Sequence, residues 1–157
     1  MKKVLLTAVA LVAFGFANAQ EGKFKAGANV GLPMGDIKDA YSLNVGLDAA
    51  YAWVISEKFE AGVGAGYSLY LGKDSVEDAS FVPVYGTAQY LITDAIFLGA
   101  DLGYAVGISP SGNDGGFLYQ PKVGYQAGEF QVFAGYKGIS VDGGTFSSLN
   151  LGFNYRF

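Results

Sequence analysis

Cysteine is absent from the 157-residue chain, and so is histidine. Without cysteine there is no disulfide framework, no thiolate metal site and no cysteine nucleophile. Without histidine the Ser-His-Asp and Cys-His machines are excluded, as are histidine-bound zinc and haem held by histidine. Charge is scarce too: 15% of residues are charged, against a typical quarter. The formal net charge is −4, and no basic patch is present, which argues against nucleic acid as a partner. Helical periodicity is missing from every window after Gln20. What the chain has in excess is glycine, 24 residues, about twice the usual share of roughly 7%. Aromatics reach 15%. This composition is too apolar for disorder, and it lacks the Ala, Leu, Glu and Lys load of a helical bundle.

The first residues read as a targeting segment. Lys2 and Lys3 form a short positive region, Val4 to Phe16 carries no charge, and Ala17-Asn18-Ala19 follows as a small-x-small cleavage site. This is the anatomy of a secretory signal peptide over 1–19. The uncharged run of 13 residues would make a helix of roughly 20 Å, too short for the ~30 Å hydrocarbon core. The expected mature domain is therefore 20–157, beginning at Gln20 with a formal charge of −6 once both lysines are gone. No cysteine follows the cleavage site, so a lipoprotein anchor is excluded.

The mature chain alternates apolar and polar residues with period two, again and again. The last strand is the clearest: Leu149, Leu151, Phe153, Tyr155 and Phe157 face one way, and Asn150, Gly152, Asn154 and Arg156 the other. Similar strands are predicted near 23–32, 42–53, 58–70, 81–92, 96–107, 117–126 and 130–139. Pro83 and Pro121 fall inside two of them. Proline cannot donate to a ladder, so each is expected near a strand's outer end or at a bulge. Tight joints are predicted near 54–57, 93–95 and 127–129. Longer loops, rich in Gly, Asp, Asn, Ser or Pro, are predicted near 33–41, 72–80, 108–116 and 140–146. Strands of this length match the roughly 9–11 tilted residues that cross a bilayer. The expected fold is all-β: an eight-stranded antiparallel up-and-down transmembrane β-barrel.

Alternation alone does not say which face is inside, since a soluble barrel buries the apolar face and a membrane barrel shows it to lipid. Two features favour lipid. The polar face carries the strand glycines 27, 31, 46, 62, 64, 66, 99, 103, 107, 124, 135 and 152, against only 86 and 138 on the apolar face. Glycine makes room on the crowded inner wall of an eight-stranded barrel, but on a solvated outer wall it would only weaken the strands. Aromatics also gather near strand ends, as two girdles would. Phe24, Trp53, Phe59, Tyr90, Phe130 and Phe157 fall at the short-turn end. Tyr41, Tyr67, Tyr104, Phe117, Tyr119, Tyr136 and Phe146 fall at the loop end.

On this reading the lumen holds Lys25, Asp48, Glu60, Asp101, Lys122, Lys137 and Arg156, amid Asn29, Asn44, Thr87, Gln89, Gln120, Gln126, Gln131 and Asn154. The near balance of signs predicts mutual pairing that fills the tube. A polar conduit gated by re-pairing of the ions is the alternative. Asp48, Glu60 and Asp101 would be the acids of a paired-carboxylate hydrolase, but nothing suggests a cleft beside them. The longer loops are net acidic and could attract Ca²⁺ or Mg²⁺. None shows the spaced oxygen ligands of a dedicated calcium site, and Gly62-x-Gly64-x-Gly66 lies within a strand rather than before a helix, so it is no phosphate loop.

The closing segment "LNLGFNYRF", with Leu149, Leu151, Phe153, Tyr155 and Phe157 on one face, resembles the C-terminal assembly signal of bacterial outer-membrane barrels. "FVPVYGTAQYL", "FLGADLGYAVG", "FLYQPKVGYQAG" and "VFAGYKG" resemble the small outer-membrane β-barrel family widespread in the Bacteroidetes, similar in architecture to the OmpA/OmpX-type barrels. The resemblance implies an outer-membrane location in a two-membrane bacterium. The partners it implies are outer-membrane lipids and lipopolysaccharide, with periplasmic chaperones and the barrel-assembly machinery during biogenesis. The outer-membrane barrel enzymes resemble one another in using histidine, which this chain lacks. The expectation is a monomeric, non-catalytic barrel without cofactor or metal, its lumen mostly plugged, in a structural or surface-interaction role. A small passive pore for ions or small solutes and a soluble periplasmic ligand-binding barrel stand as alternatives.

Overall fold

A computed structural model describes residues 22–157. The proposed signal peptide, with Ala17 and Ala19, lies outside the described residues. Eight strands follow: β1 (Gly22–Met34), β2 (Tyr41–Ser56), β3 (Phe59–Gly72), β4 (Ala79–Leu91), β5 (Ile96–Ser109), β6 (Gly116–Ala127), β7 (Phe130–Val141) and β8 (Gly144–Arg156). Each pairs antiparallel with the next in sequence order, and β8 closes on β1, where Lys25 lies opposite Arg156. The sheet therefore has no open edge, and every strand spends its backbone hydrogen bonds on two neighbours.

The period-two pattern maps directly onto the wall. Phe24, Val30 and Leu32 of β1, Leu98, Leu102 and Tyr104 of β5, and Leu149, Leu151 and Phe153 of β8 are exposed on the outside. Lys25, Asn29, Asp101, Asn150 and Arg156 are buried within. The inward glycines are seats for neighbouring side chains. A Cβ at Gly124 would run into the Phe97 ring, at Gly152 into the Phe133 ring, and at Gly64 into the Tyr85 ring. Replacing Gly124 by valine is accordingly expected to destabilise the barrel by about 1–3 kcal/mol, the usual cost of overpacking, read from urea unfolding. The outward Gly86 has no neighbour within 3.4 Å of such an atom, so Gly86→Ala should leave the midpoint close to its original value.

Three connections at one end are tight: Glu57-Lys58, 92–95, and Gly128-Glu129, where Gly128 takes φ 59°. At the other end loops 35–40, 73–78 and 110–115 are longer, and the first contains a short 3-10 turn, Gly35–Ile37. The fourth connection departs from expectation. Residues 140–146 do not form a long loop: β7 and β8 run on to Val141 and Gly144, and only Asp142-Gly143 turns the chain. Asp-Gly between alternating strands is a hairpin signal, and Gly143 supplies the positive φ of 88° that the turn needs.

The prolines also depart from expectation, for both lie well inside their strands. Pro121 pairs with Ala100 of β5, but on the β7 side the ladder lapses between Tyr119↔Gly138 and Lys122↔Gly135. Pro83 pairs with Ala105, while the β3 side lapses between Ala65↔Val84 and Ser68↔Phe81. The register on the far side of each gap is unchanged, so neither proline sits at a bulge there. The missing N–H removes a stretch of pairing without shifting the strand.

Two residues assigned to the outer girdle lie inside instead. Tyr41 is buried, and Phe146 packs partly buried beside it. A register shift between Tyr41 and Leu43 reverses the alternation at the start of β2 and turns Tyr41 inward. Phe146 belongs to β8, not to a loop, and shares the inward parity of Ser148 and Asn150.

Candidate functional site

The lumen has two levels. Nearest the loops is an apolar cluster of Ile37, Tyr41, Tyr70, Ala79, Phe81, Tyr85, Ala105, Leu118 and Ile139, with Phe146 against it. Its members come from six of the eight strands and from the 3-10 turn, and Phe146 adds β8, so it reaches across the whole bore. Tyr70, Phe81 and Phe146 meet edge to face, with centroids 5.0–6.0 Å apart, a geometry that adds to the area term. Ser147 Oγ donates to the Met34 carbonyl at 3.0 Å where β8 meets the first loop, and Lys73 of the second loop donates to the Lys38 carbonyl at 2.8 Å.

Below the cluster lie the charges, and the structure brings all seven sequence-assigned residues onto the inner wall. They form three groups. At the turn end Glu60 takes two cations, with Lys25 Nζ at 2.8 Å from one oxygen and Arg156 Nη2 at 2.6 Å from the other. Three glutamines lock this group in place. Gln89 Oε1 accepts from Lys25 at 3.3 Å and from Gln131 at 3.2 Å, and Gln126 Oε1 accepts from Arg156 at 2.9 Å and from Gln131 at 3.2 Å. In the second group Lys122 Nζ lies 2.7 Å from each oxygen of Asp101, and Thr87 donates to the same carboxylate. In the third, Asp48 and Lys137 meet only through an amide: Asn29 donates to Asp48 at 2.6 Å and accepts from Lys137 at 3.1 Å. Asn150 continues this chain to Asn44, and Ser148 links Asn44 to the Tyr70 hydroxyl of the apolar cluster.

These groups are desolvated and within hydrogen-bond reach of one another, the condition under which buried charge is tolerated. The space left among them is a cavity of about 30 Å³ lined by Lys25, Asp48, Asp101, Lys122, Gln131 and Phe133, among others. One water-sized particle needs roughly 10–15 Å³, so the cavity holds two or three and no organic solute. Among the described residues, no three acids gather in a set that could hold a metal ion.

Sequence reasoning did not foresee the apolar level. Its signal was present in Tyr70, Phe81, Leu118 and Ile139, which share parity with the polar residues of their own strands. The sequence-assigned assembly-signal residues Leu149, Leu151, Phe153 and Phe157 lie exposed on the outer wall. Tyr155 lies half-buried between Phe130 and Phe157 and donates to Glu129.

No protein-family model matches the chain, and no curated protein matches it. Solved structures do. The chain is similar to the crystal structure of Ail, the attachment invasion locus protein of Yersinia pestis, at 18% identity and a TM-score of 0.60, over 88% of this chain and 99% of that one. A de novo designed transmembrane β-barrel matches at 13% identity and a TM-score of 0.56, covering 88% of this chain and 98% of the design. The N-terminal β-barrel domain of Pseudomonas aeruginosa OprF matches at 13% identity and a TM-score of 0.51, over 87% and 100%. At these identities the likeness is one of fold: the chain has the closed eight-stranded architecture of the small transmembrane barrels.

Proposed function

We propose that the chain is an integral outer-membrane barrel with a closed lumen, serving a structural or surface-interaction role without catalysis. The observation that carries this reading is the filled bore: an apolar level and a charged level each draw on nearly every strand, and the space between side chains is water-sized. The membrane assignment is supported by the outer wall. Leu32, Leu47 and Leu151 are each more than 60% exposed, and burying such a side chain is worth about 1.5–3 kcal/mol. Lipid satisfies this wall and water does not, which disfavours a soluble ligand-binding barrel. The outer membrane as destination, the assembly machinery and chaperones as biogenesis partners, and kinship with the Bacteroidetes barrels rest on the resemblance of the quoted segments. The monomeric state rests on the closed sheet, which leaves no strand edge to share.

The test is single-channel conductance of the mature protein in a planar bilayer, after heat-modifiable gel migration confirms refolding. A silent bilayer with folded protein is the expected result. Discrete, reproducible steps would overturn the closed lumen in favour of a small pore. A mature chain that stays dispersed without detergent would overturn the membrane assignment itself.

A further inference from the structure

We infer, resting on the membrane reading of the outer wall, that the outer leaflet is drawn down against β7 and β8. Lipid headgroups, rather than acyl chains, then pack on the loop-end wall that carries Ser140 and Thr145. The first ground is a comparison of outward residues at one height. A row of paired residues followed from Phe24 around the wall, through Val63 of β3, Leu102 of β5 and Gly138 of β7, returns to β1 at Met34, ten residues further up. Each row therefore climbs about 1.25 residues per strand, the shear of the closed sheet. Ser140 shares a row with Phe117 and Tyr104, so the climb over two strands brings it level with Val106 of β5. The same construction puts Leu69 of β3 and Met34 of β1 near this height. There β1, β3 and β5 turn apolar side chains outward, with Met34 and Val106 exposed, whereas β7 and β8 turn out the hydroxyls of Ser140 and Thr145.

The second ground is the length of the apolar band. On β5 it runs outward from Ile96 to Ile108, twelve residues apart, or roughly 30 Å of height at ~3.3 Å per residue and ~40° of tilt. On β7 it runs only from Phe130 to Tyr136, six residues apart, after which Gly138 and Ser140 follow. That is roughly 15 Å, against a usual band of ~25 Å. Tyrosine rings favour the headgroup level, and on this side they mark its lower position. Phe117, Tyr119 and Tyr136 form a near-parallel run with centroids 6.3–6.4 Å apart, and the Tyr119 ring rests on Gly138, where a Cβ would strike it.

A tilt of the whole barrel does not account for the difference, because it would lift the turn end of β7 as well. Ile96 and Phe130 stand level by the same construction, and exposed acids, Asp94 and Glu129, lie just below them. The lower edge of the band is even, and only its upper edge drops. Ser140 and Thr145 face each other across the ladder. Their hydroxyls can donate to the phosphate and ester oxygens of a headgroup, whereas acyl chains leave them unsatisfied at a cost.

The chain has no cysteine, so single cysteines carry spin labels without interference. Ser140→Cys, Val106→Cys and Leu47→Cys are labelled in the mature barrel refolded into dioleoylphosphatidylcholine vesicles. Collisions with oxygen, which concentrates in hydrocarbon, are compared with those of a water-soluble nickel chelate. The nickel-to-oxygen ratio is expected to be several-fold higher at 140 than at 106, while 47, midway up the wall, reads as hydrocarbon. Oxygen-rich readings at both 140 and 106 would overturn the inference and leave the membrane reading standing. Nickel-rich readings at both would overturn it too, since the whole level would then stand above the bilayer. A nickel-rich reading at 47 would bring down the membrane reading and the inference with it. Should the label at 140 block refolding, Thr145→Cys on the facing strand takes its place with the same expected outcomes.

Discussion

Replacing Glu60 by glutamine is expected to lower the unfolding free energy of the refolded barrel by about 3–5 kcal/mol, the loss typical when one partner of a buried ion pair is removed. The change is nearly isosteric, so packing hardly enters. What it does is leave Lys25 and Arg156 side by side, both buried, with their shared carboxylate gone. The amide oxygen that replaces it can accept from one of them, but it carries no charge to offset either. Arg156→Leu should cost less, because Glu60 keeps Lys25 at 2.8 Å and the lumen loses a cation of which it has one too many. Asp142→Asn, in the exposed hairpin turn, should fall within about 0.5 kcal/mol of the parent. Urea unfolding followed by heat-modifiable gel mobility orders the three. Equal losses for Glu60→Gln and Asp142→Asn would mean that the buried group contributes nothing specific to stability.

The wall of the barrel was legible in the sequence because period-two alternation is a local property. Which face Lys25, Asp101 or Leu151 occupies follows from its neighbours two residues away. Pairing is not local, because the shear of a closed barrel sets which strands bring their side chains to one level. Lys25 on β1 and Glu60 on β3 meet across the whole of β2, and they can do so because β2 presents Ala50 and Ala52 inward between them. Those two alanines were the available signal, a low stretch of wall flanked by a cation and an acid. The apolar level was hidden for a different reason. Parity assigns Phe81 and Leu118 to the inner face, but an inner face read as uniformly polar leaves no place for them. Tyr41 could not be placed by parity at all, since the register shift before Leu43 reverses it. The Asp142-Gly143 turn was misread because its flanks, Ser140 and Thr145, look like loop residues. Only the pairing of Val141 with Gly144 shows that the strands continue.

Replacing Phe81 by alanine is expected to cost about 3–5 kcal/mol, the range for a buried phenylalanine, and yet to leave the bilayer silent. Phe81 is fully buried, with its ring centroid 6.0 Å from Tyr70 and 5.0 Å from Phe146. Those rings hang from β3 and β8, strands tied into a closed wall that cannot contract, so the space left by the ring stays largely open and the cavity part of the cost is not relieved. Closure of the bore is another matter. Ions passing a gap at the mouth still meet the Lys25–Glu60–Arg156 group and its glutamines, which draw on β1, β3, β4, β6, β7 and β8 at the turn end. Stability and closure are thus expected to separate in this variant: a large drop in the urea midpoint with no conductance steps. A loss under about 1 kcal/mol would mean that the mouth repacks freely, against the close packing expected of a protein interior. Conductance from Phe81→Ala alone would place the whole seal in the aromatic level and leave the charges below as a water-accessible passage.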